Sequence, residues 1–255
     1  MQSGVVCVAQ QNEILDTCLM AGRIMIESGS EMYRVEDTMQ RIAHNAGAKT
    51  SSIFSTPTGL FMALPDADAV QIQPVTTRTI NLEKVDRVNA LSRQFAEKKI
   101  TLAQLHQRLL VLDHDVPFFP LWLQIVAAAV VSCTLMIIYG GVWADFIPSA
   151  LVGAVGYAVF YFIRERLAVS FLSEFMAAFT IGLLAWALVH WHLGQSLDMI
   201  IIGAVMPLVP GVAITNAVRD MLAGHLLSGL ARGMEALFSV SAIGIGIALI
   251  FRFFS

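Results

Sequence analysis

The apolar segments of residues 116–255 constrain this chain more than any other feature. Five stretches there, about 118–140, 143–163, 168–191, 197–218 and 233–251, are nearly free of charge. Each reaches the ~20 residues that an α-helix needs to cross the hydrocarbon core of a bilayer. In lipid the backbone must satisfy its own hydrogen bonds, and a helix does so within one segment. Charge is divided accordingly: residues 1–115 hold 11 Lys/Arg and 13 Asp/Glu, while residues 116–255 hold 5 and 6. At 56% hydrophobic residues and a mean hydropathy of +0.69, the chain is more apolar than ordinary soluble domains, at ~45–50%. The expected fold is a mainly α membrane protein. An N-terminal cytoplasmic α+β domain, residues 1–115, precedes a transmembrane domain, residues 116–255, with five helices, one broken by Pro and Gly.

Basic residues set the expected orientation. The loops after the first and third spans carry no Lys or Arg, whereas Arg164 and Arg166 follow the second and Arg219 and Arg232 the fourth. Lys and Arg stay on the cytoplasmic side, so the N-terminus is expected inside and the C-terminus outside, with Arg252 snorkelling. Trp122, Tyr139, Trp143 and Trp191 lie near span ends, as interfacial aromatics do. Met1 to Asn12 has neither the basic nor the apolar region of a signal peptide.

In residues 1–115, Ile14, Leu15, Cys18, Leu19, Gly22, Met25 and Ile26 recur at helical spacing and predict a helix over 8–28. Gly29 ends it, and Ser30 is the expected cap of a second helix over 31–46. Lys49–Ser55, Gly59–Leu64 and Val70–Thr76 read as a three-stranded meander with turns at Pro57-Thr58-Gly59 and Pro65-Asp66-Ala67-Asp68. Helical spacing returns over 81–97 and 101–112, the latter with Thr101 as N-cap. The polar cluster Glu27, Glu31, Tyr33, Arg34, Glu36 and Asp37 is either a capped, solvated helix start or a docking surface near the membrane.

Several function classes are unsupported. A net charge of −3 without a basic block gives no sign of nucleic-acid binding. Cys7, Cys18 and Cys133 have no metal-type spacing, and no phosphate loop, nucleophile elbow or paired-His motif is present. No enzyme activity, cofactor or metal is expected.

The fourth span carries the strongest functional signal. Met206-Pro207-Leu208-Val209-Pro210-Gly211 places two prolines and a glycine near mid-depth, where proline removes a donor and breaks the helix. Freed backbone groups in a membrane line a wet cavity or are covered by protein, and interrupted spans point to transporter substrate sites. A kink that only shapes packing is the alternative. A half-helix starting near Gly211 would turn free N–H groups and a positive dipole end toward an anion. Asn216, Arg219 and Asp220 lie at i, i+3 and i+4, on one face. Arg219 could pair with a second carboxylate or with Asp220; ordinary juxtamembrane charge is the other reading. The candidate substrate-binding residues are Pro207, Pro210, Gly211, Thr215, Asn216, Arg219 and Asp220. Asp220 and Glu174 are candidate proton carriers, because an acid inside a span is costly unless it serves a function. Glu174 faces a cavity or partner, or reaches the interface by tilt. Asp145 and Asp198, at span edges, are expected to be solvated. The small-residue pairs Ser149/Gly153, Ala178/Gly182 and Gly244/Ala248 read as close helix contacts.

Two stretches resemble the ThrE-type threonine/serine exporter family. One is Met206–Leu237, with Pro210-Gly211, Thr215-Asn216-Ala217, Arg219-Asp220, Gly224 and Gly229; the other is Glu27-Ser28-Gly29-Ser30-Glu31-Met32-Tyr33-Arg34-Val35-Glu36-Asp37-Thr38. The resemblance covers essentially the whole chain. Full-length members look like about ten spans; this chain, with five, is similar to the larger, YjjP-type subunit of the split form. That implies a bacterial inner-membrane exporter of small organic acids, in the split type of dicarboxylates such as succinate, with a second small membrane subunit supplying the other spans. Threonine/serine export is the alternative substrate class, and a scaffold or sensor with a cytoplasmic output domain the alternative of another kind. Five spans is an odd number, so a second such half would insert inverted, as in alternating-access transporters. A lone half would leave a packing face exposed and should need that partner or a higher oligomer.

Overall fold

The computed structural model of the protein describes residues 2–65, 69–115, 119–167 and 170–254. Asp66, Ala67 and Asp68 of the second expected turn, residues 118 and 168 at two expected span starts, and the Cys7 side chain lie outside this description. The chain divides into two compact units. One comprises Met1–Phe118 and Val212–Gly233, the other Phe119–Gly211 and Met234–Ser255.

The first unit begins with α1 (Gln2–Glu27) and α2 (Met32–Asn45). The α1 face read from the sequence is its buried face: Ile14, Leu15, Cys18, Leu19, Met25 and Ile26 all enter the core. Gly22 permits this approach, since a Cβ there would overlap the Met39 side chain. Strands β1 (Ser52–Thr56), β2 (Gly59–Leu64) and β3 (Ala69–Pro74) form an antiparallel meander in the order β1-β2-β3. Thr56 pairs with Gly59, so the first turn is Pro57-Thr58 and Gly59 already belongs to β2. β1 starts at Ser52, paired with Ala63, rather than at Lys49. Leu60, Met62 and Leu64 point into the core, while Phe54, Phe61 and Ile72 form an exposed cross-strand row on the other face. Helix α3 (Leu82–Ala96) is capped by Asn81, whose Oδ1 accepts from the Lys84 N–H at 3.1 Å. Helix α4 (Leu102–Asp115) opens with a capping box. The Gln104 N–H donates to Thr101 Oγ1 at 3.3 Å, and the Thr101 N–H donates to Gln104 Oε1 at 3.0 Å.

Residues 212–233 bring to this unit nearly all of α9 (Gly211–Leu222) and the first two turns of α10 (Leu226–Phe254). Gly224, at φ +89°, closes α9. The Gly224 N–H bonds the Met221 carbonyl at 3.1 Å and the His225 N–H bonds the Asp220 carbonyl at 2.8 Å, the double bond pattern of a left-handed helix stop. The hairpin is tight: a Cβ at Gly229 would overlap Met221 and crowd the Ala217 carbonyl.

The second unit contains α5 (Leu121–Ile138), a 3-10 turn (Trp143–Asp145) leading into α6 (Phe146–Leu167), α7 (Ser170–His190), α8 (Leu197–Val205) with a 3-10 turn (Met206–Leu208), and α10 from Met234. Val152, Ala177, Ala178, Ile181, Ile200, Ala204 and Ile243 lie in its core. Small residues decide how closely its helices pack. Gly153 and Gly203 both abut Ser132 of α5, and the Ser149 hydroxyl donates to the Ser132 carbonyl at 3.2 Å. Gly182 abuts Ile250 of α10. Gly244 departs from expectation, with open space where its Cβ would be; Gly246 instead lies against the Phe175 backbone. Asp145 is also corrected. It is fully buried, accepting from the Gln195 N–H at 2.6 Å and the Ser196 N–H at 3.0 Å, just before α8. Asp198 is exposed, as expected.

Among the described residues, four helical stretches are long and apolar enough to cross a membrane: Leu121–Ile138, Trp143–Leu167, Phe171–His190 and Leu226–Phe254. Leu197–Leu208 and Gly211–Leu222 reach that standard only as a broken pair. The break falls where the prolines predict it. Val209 is extended (φ −65°, ψ 127°), and α9 restarts at Gly211. The last helix begins at Leu226 rather than near 233. Its 29 residues span about 43 Å at 1.5 Å per residue, more than a ~30 Å core requires.

Candidate functional site

The two stretches singled out in the sequence, around Glu27–Thr38 and after Pro210, meet inside the first unit. Helix α1 ends in a left-handed stop at Gly29 (φ +87°): the Gly29 N–H bonds the Ile26 carbonyl at 3.1 Å and the Ser30 N–H the Met25 carbonyl at 3.0 Å. This turn exposes the Gly29 and Ser30 carbonyls and starts α2 two residues later. The N-cap of α2 is Glu31, not Ser30, and its side chain makes no capping bond. Asp220 of α9 supplies the cap, with Oδ1 accepting from the Met32 N–H at 2.9 Å. A carboxylate there also meets the positive end of the helix dipole.

The neighbouring polar groups complete the contact. Asn216 Nδ2 donates to the Gly29 carbonyl at 2.8 Å, and Arg232 Nη2 donates to the Ser30 carbonyl at 2.8 Å. Arg232 Nη1 faces Asp220 Oδ2 at 3.2 Å. Asp220, Asn216 and Arg232 are all buried, Asp220 completely. The helix N–H and the turn carbonyl bond Asp220 Oδ1 and Arg232 Nη2, while Oδ2 and Nη1 face each other as a charge pair without a hydrogen bond. Further out, Ser228 Oγ donates to the Ser55 carbonyl at 3.4 Å, and Glu36 accepts from both the Ser55 N–H (3.2 Å) and its hydroxyl (2.6 Å).

Arg219 turns the other way. Its guanidinium pairs with Glu31, and Arg34 Nε approaches the second oxygen of that carboxylate at 3.0 Å. Both arginine side chains are about half exposed (55% and 50%), while Glu31 is 10% exposed. The structure thus brings Asn216, Arg219 and Asp220 onto one loop. Thr215 is exposed beside them in sequence, and Pro207, Pro210 and Gly211 belong to the second unit. The second unit also holds Glu174, which is buried and accepts from Ser239 Oγ of α10 at 3.4 Å and Ser173 Oγ at 3.3 Å.

Sequence reading used Arg232 only as a basic residue that sets orientation, and missed its place in the contact. Arg232 lies between Gly229 and Gly233 in a stretch that reads as a loop, and only the hairpin brings it to Asp220. Two surface clefts of about 500 Å³ open on the first unit. One is lined by residues including Asp16, Arg23, Glu27 and His106, the other by Asp37, Arg41, His44 and Lys49; α9 lines neither. Among the described residues no three His, Cys, Asp or Glu side chains gather as a metal site requires.

Comparison with known proteins places this arrangement. No solved structure matches the chain. It is similar to a Mycobacterium tuberculosis protein named "Probable threonine/serine exporter", with 23% identity over 254 residues, covering 98% of this chain and 48% of that protein. It is also similar to a Klebsiella aerogenes protein named "Probable succinate transporter subunit YjjP", with 23% identity over 251 residues and 94% of each chain covered. The chain therefore spans about half the length of the first relative and nearly all of the second. The model of the ThrE family, described as "Putative threonine/serine exporter", matches residues 16–254, which takes in both halves of the buried contact, and the chain belongs to that family.

Proposed function

We propose that the protein is one subunit of a bacterial inner-membrane secondary exporter of small carboxylic acids, dicarboxylates such as succinate foremost. A second small multi-spanning subunit of the same family completes it. One observation carries the reading: the polar residues following a broken span are held by a built, buried contact with the Gly29–Met32 turn. Such a break is where transporters bind substrate, and a contact of this kind lets the N-terminal domain fix the position of α9. The half-length match to one relative and the full-length match to one named as a subunit support a two-chain transporter. In this reading the N-terminal domain is cytoplasmic, the C-terminus periplasmic, and Pro207, Pro210, Gly211, Thr215 and Arg219 are the candidate substrate residues. Glu174 carries the coupling proton, since it is a buried acid inside a span that accepts from the Ser173 and Ser239 hydroxyls. Asp220 acts as the holding group rather than as a proton carrier.

The test is counterflow in vesicles that contain this chain and its membrane partner. Preloaded succinate should drive uptake of labelled succinate, and Glu174→Gln should abolish proton-coupled accumulation while leaving exchange. Counterflow of threonine but not succinate would assign the amino-acid class named for the mycobacterial relative. No flux of either would leave a scaffold or sensor.

A further inference from the structure

We propose that Arg34 and Arg219 form a carboxylate-binding clamp that the chain's own Glu31 occupies at rest, and that an incoming substrate carboxylate binds by displacing Glu31. The inference rests on the export reading only for the identity of the ligand. The geometry is that of an occupied site. The two guanidinium groups address different oxygens of one carboxylate: Arg219 Nη1 bonds Oε1, and Arg34 Nε, which donates to the Tyr33 hydroxyl at 3.2 Å, lies 3.0 Å from Oε2 as a charge contact. Each arginine has N–H groups to spare, and both side chains are half exposed. Two positive charges face one negative charge, so the cluster retains a surplus positive charge for a second carboxylate group.

Glu31 is also free of the duty its position implies. An N-cap side chain normally accepts a bond from the first turn of its helix. Here that bond goes to Asp220, and Glu31 makes none. Its carboxylate can therefore leave without uncapping α2. The buried contact formed by Asn216, Asp220 and Arg232 with the turn backbone keeps the starts of the Arg34 and Arg219 side chains, on α2 and α9, in place when it does. Glu31 then acts as a tethered competitor, setting the substrate concentration at which the clamp fills and keeping smaller anions out.

The experiment is succinate titration of the purified full chain in detergent, by calorimetry, with acetate and threonine as comparison probes. Glu31→Gln removes the competitor and should tighten succinate binding about fivefold, the worth of a half-exposed ion pair. Arg219→Gln and Arg34→Gln should each weaken binding by a similar factor, and Glu31→Gln combined with Arg219→Gln should lose the gain. Acetate, with one carboxylate, should gain less from Glu31→Gln than succinate. Unchanged or weaker succinate binding by a Glu31→Gln protein that melts like the wild type overturns the proposal. If that variant melts early, Glu31→Asp decides: the shorter arm retracts the carboxylate and should also tighten binding, and unchanged affinity overturns the proposal. Tighter binding by Glu31→Gln without vesicle counterflow keeps the clamp and defeats the export reading. Counterflow with unchanged Glu31→Gln affinity does the reverse.

Discussion

Asp145 and Asp220 are both completely buried, and both accept backbone N–H groups at or just before the start of a helix distant in sequence. They are satisfied in different ways. Asp145 takes two N–H donors before α8, and among the described residues no cation pairs with it. Asp220 takes one N–H donor at α2 and the Arg232 guanidinium. The first arrangement pins the turn before α6 to the turn before α8, 50 residues on, within the second unit. The second ties α2, α9 and α10 together through one N–H bond and one charge pair. Donors alone hold a buried carboxylate between two elements; adding a cation brings in a third.

The sharpest test of this difference is truncation at both sites. Asp220→Ala removes the carboxylate that caps the Met32 N–H and faces the buried Arg232, and should destabilise the first unit by about 3–5 kcal/mol. Asp145→Ala orphans two N–H groups and should cost about 2–3 kcal/mol. Denaturation of the purified protein in detergent measures both, and an equal or larger loss at Asp145 would break the comparison. The second test is rescue. Asp220→Asn combined with Arg232→Gln should recover at least about 1 kcal/mol relative to the sum of the single changes. Additive losses would mean that the pair is not coupled.

Smaller effects belong to the exposed edge of the same cluster. Glu31→Gln should shift stability by less than about 1 kcal/mol, because its arginine partners are half solvated; a loss as large as that of Asp220→Ala would make Glu31 part of the junction. The smallest expected effect lies in the domain core. Burial pushes the Cys18 thiol up to about 12, so at pH 8 it is almost wholly protonated and should resist alkylation until the domain unfolds. Mass spectrometry after maleimide treatment checks this, and fast labelling of Cys18 in the native protein would contradict it.

Sequence pattern revealed what depends on period and punctuation. The α1 core face, the three-stranded meander, the Thr101 cap and the break at Val209-Pro210 were all legible, because each follows from neighbours within a few residues. Partnerships set by tertiary approach were not. Asp145 looked solvated because a span edge normally is, and nothing local signals the two N–H groups that reach it from 195 and 196. Ser30 looked like a cap because its residue type favours one, but a carboxylate from α9 took the position. Arg232 and the first turns of α10 read as a loop because glycines flank them, and those glycines are what let α9 and α10 close. For Asn216, Arg219 and Asp220, the shared helix face could be read from spacing. Their partners, the Gly29–Met32 backbone and Glu31, lie 187 and 188 positions away and could not.

That separation has a consequence for how the chain is made. The Met32 N–H waits for a carboxylate that is synthesised 188 residues later, roughly 10–40 s at ordinary rates of translation. Until α9 emerges, α2 has no cap at Met32 and the Gly29 and Ser30 carbonyls have no partners from α9 and α10. The N-terminal domain can collapse early, but its final fastening comes only after most of the apolar segments have left the ribosome. A chain that stalls or inserts wrongly leaves this turn open, and that open turn is a local mark by which a quality-control protease could tell an unfinished copy from a finished one.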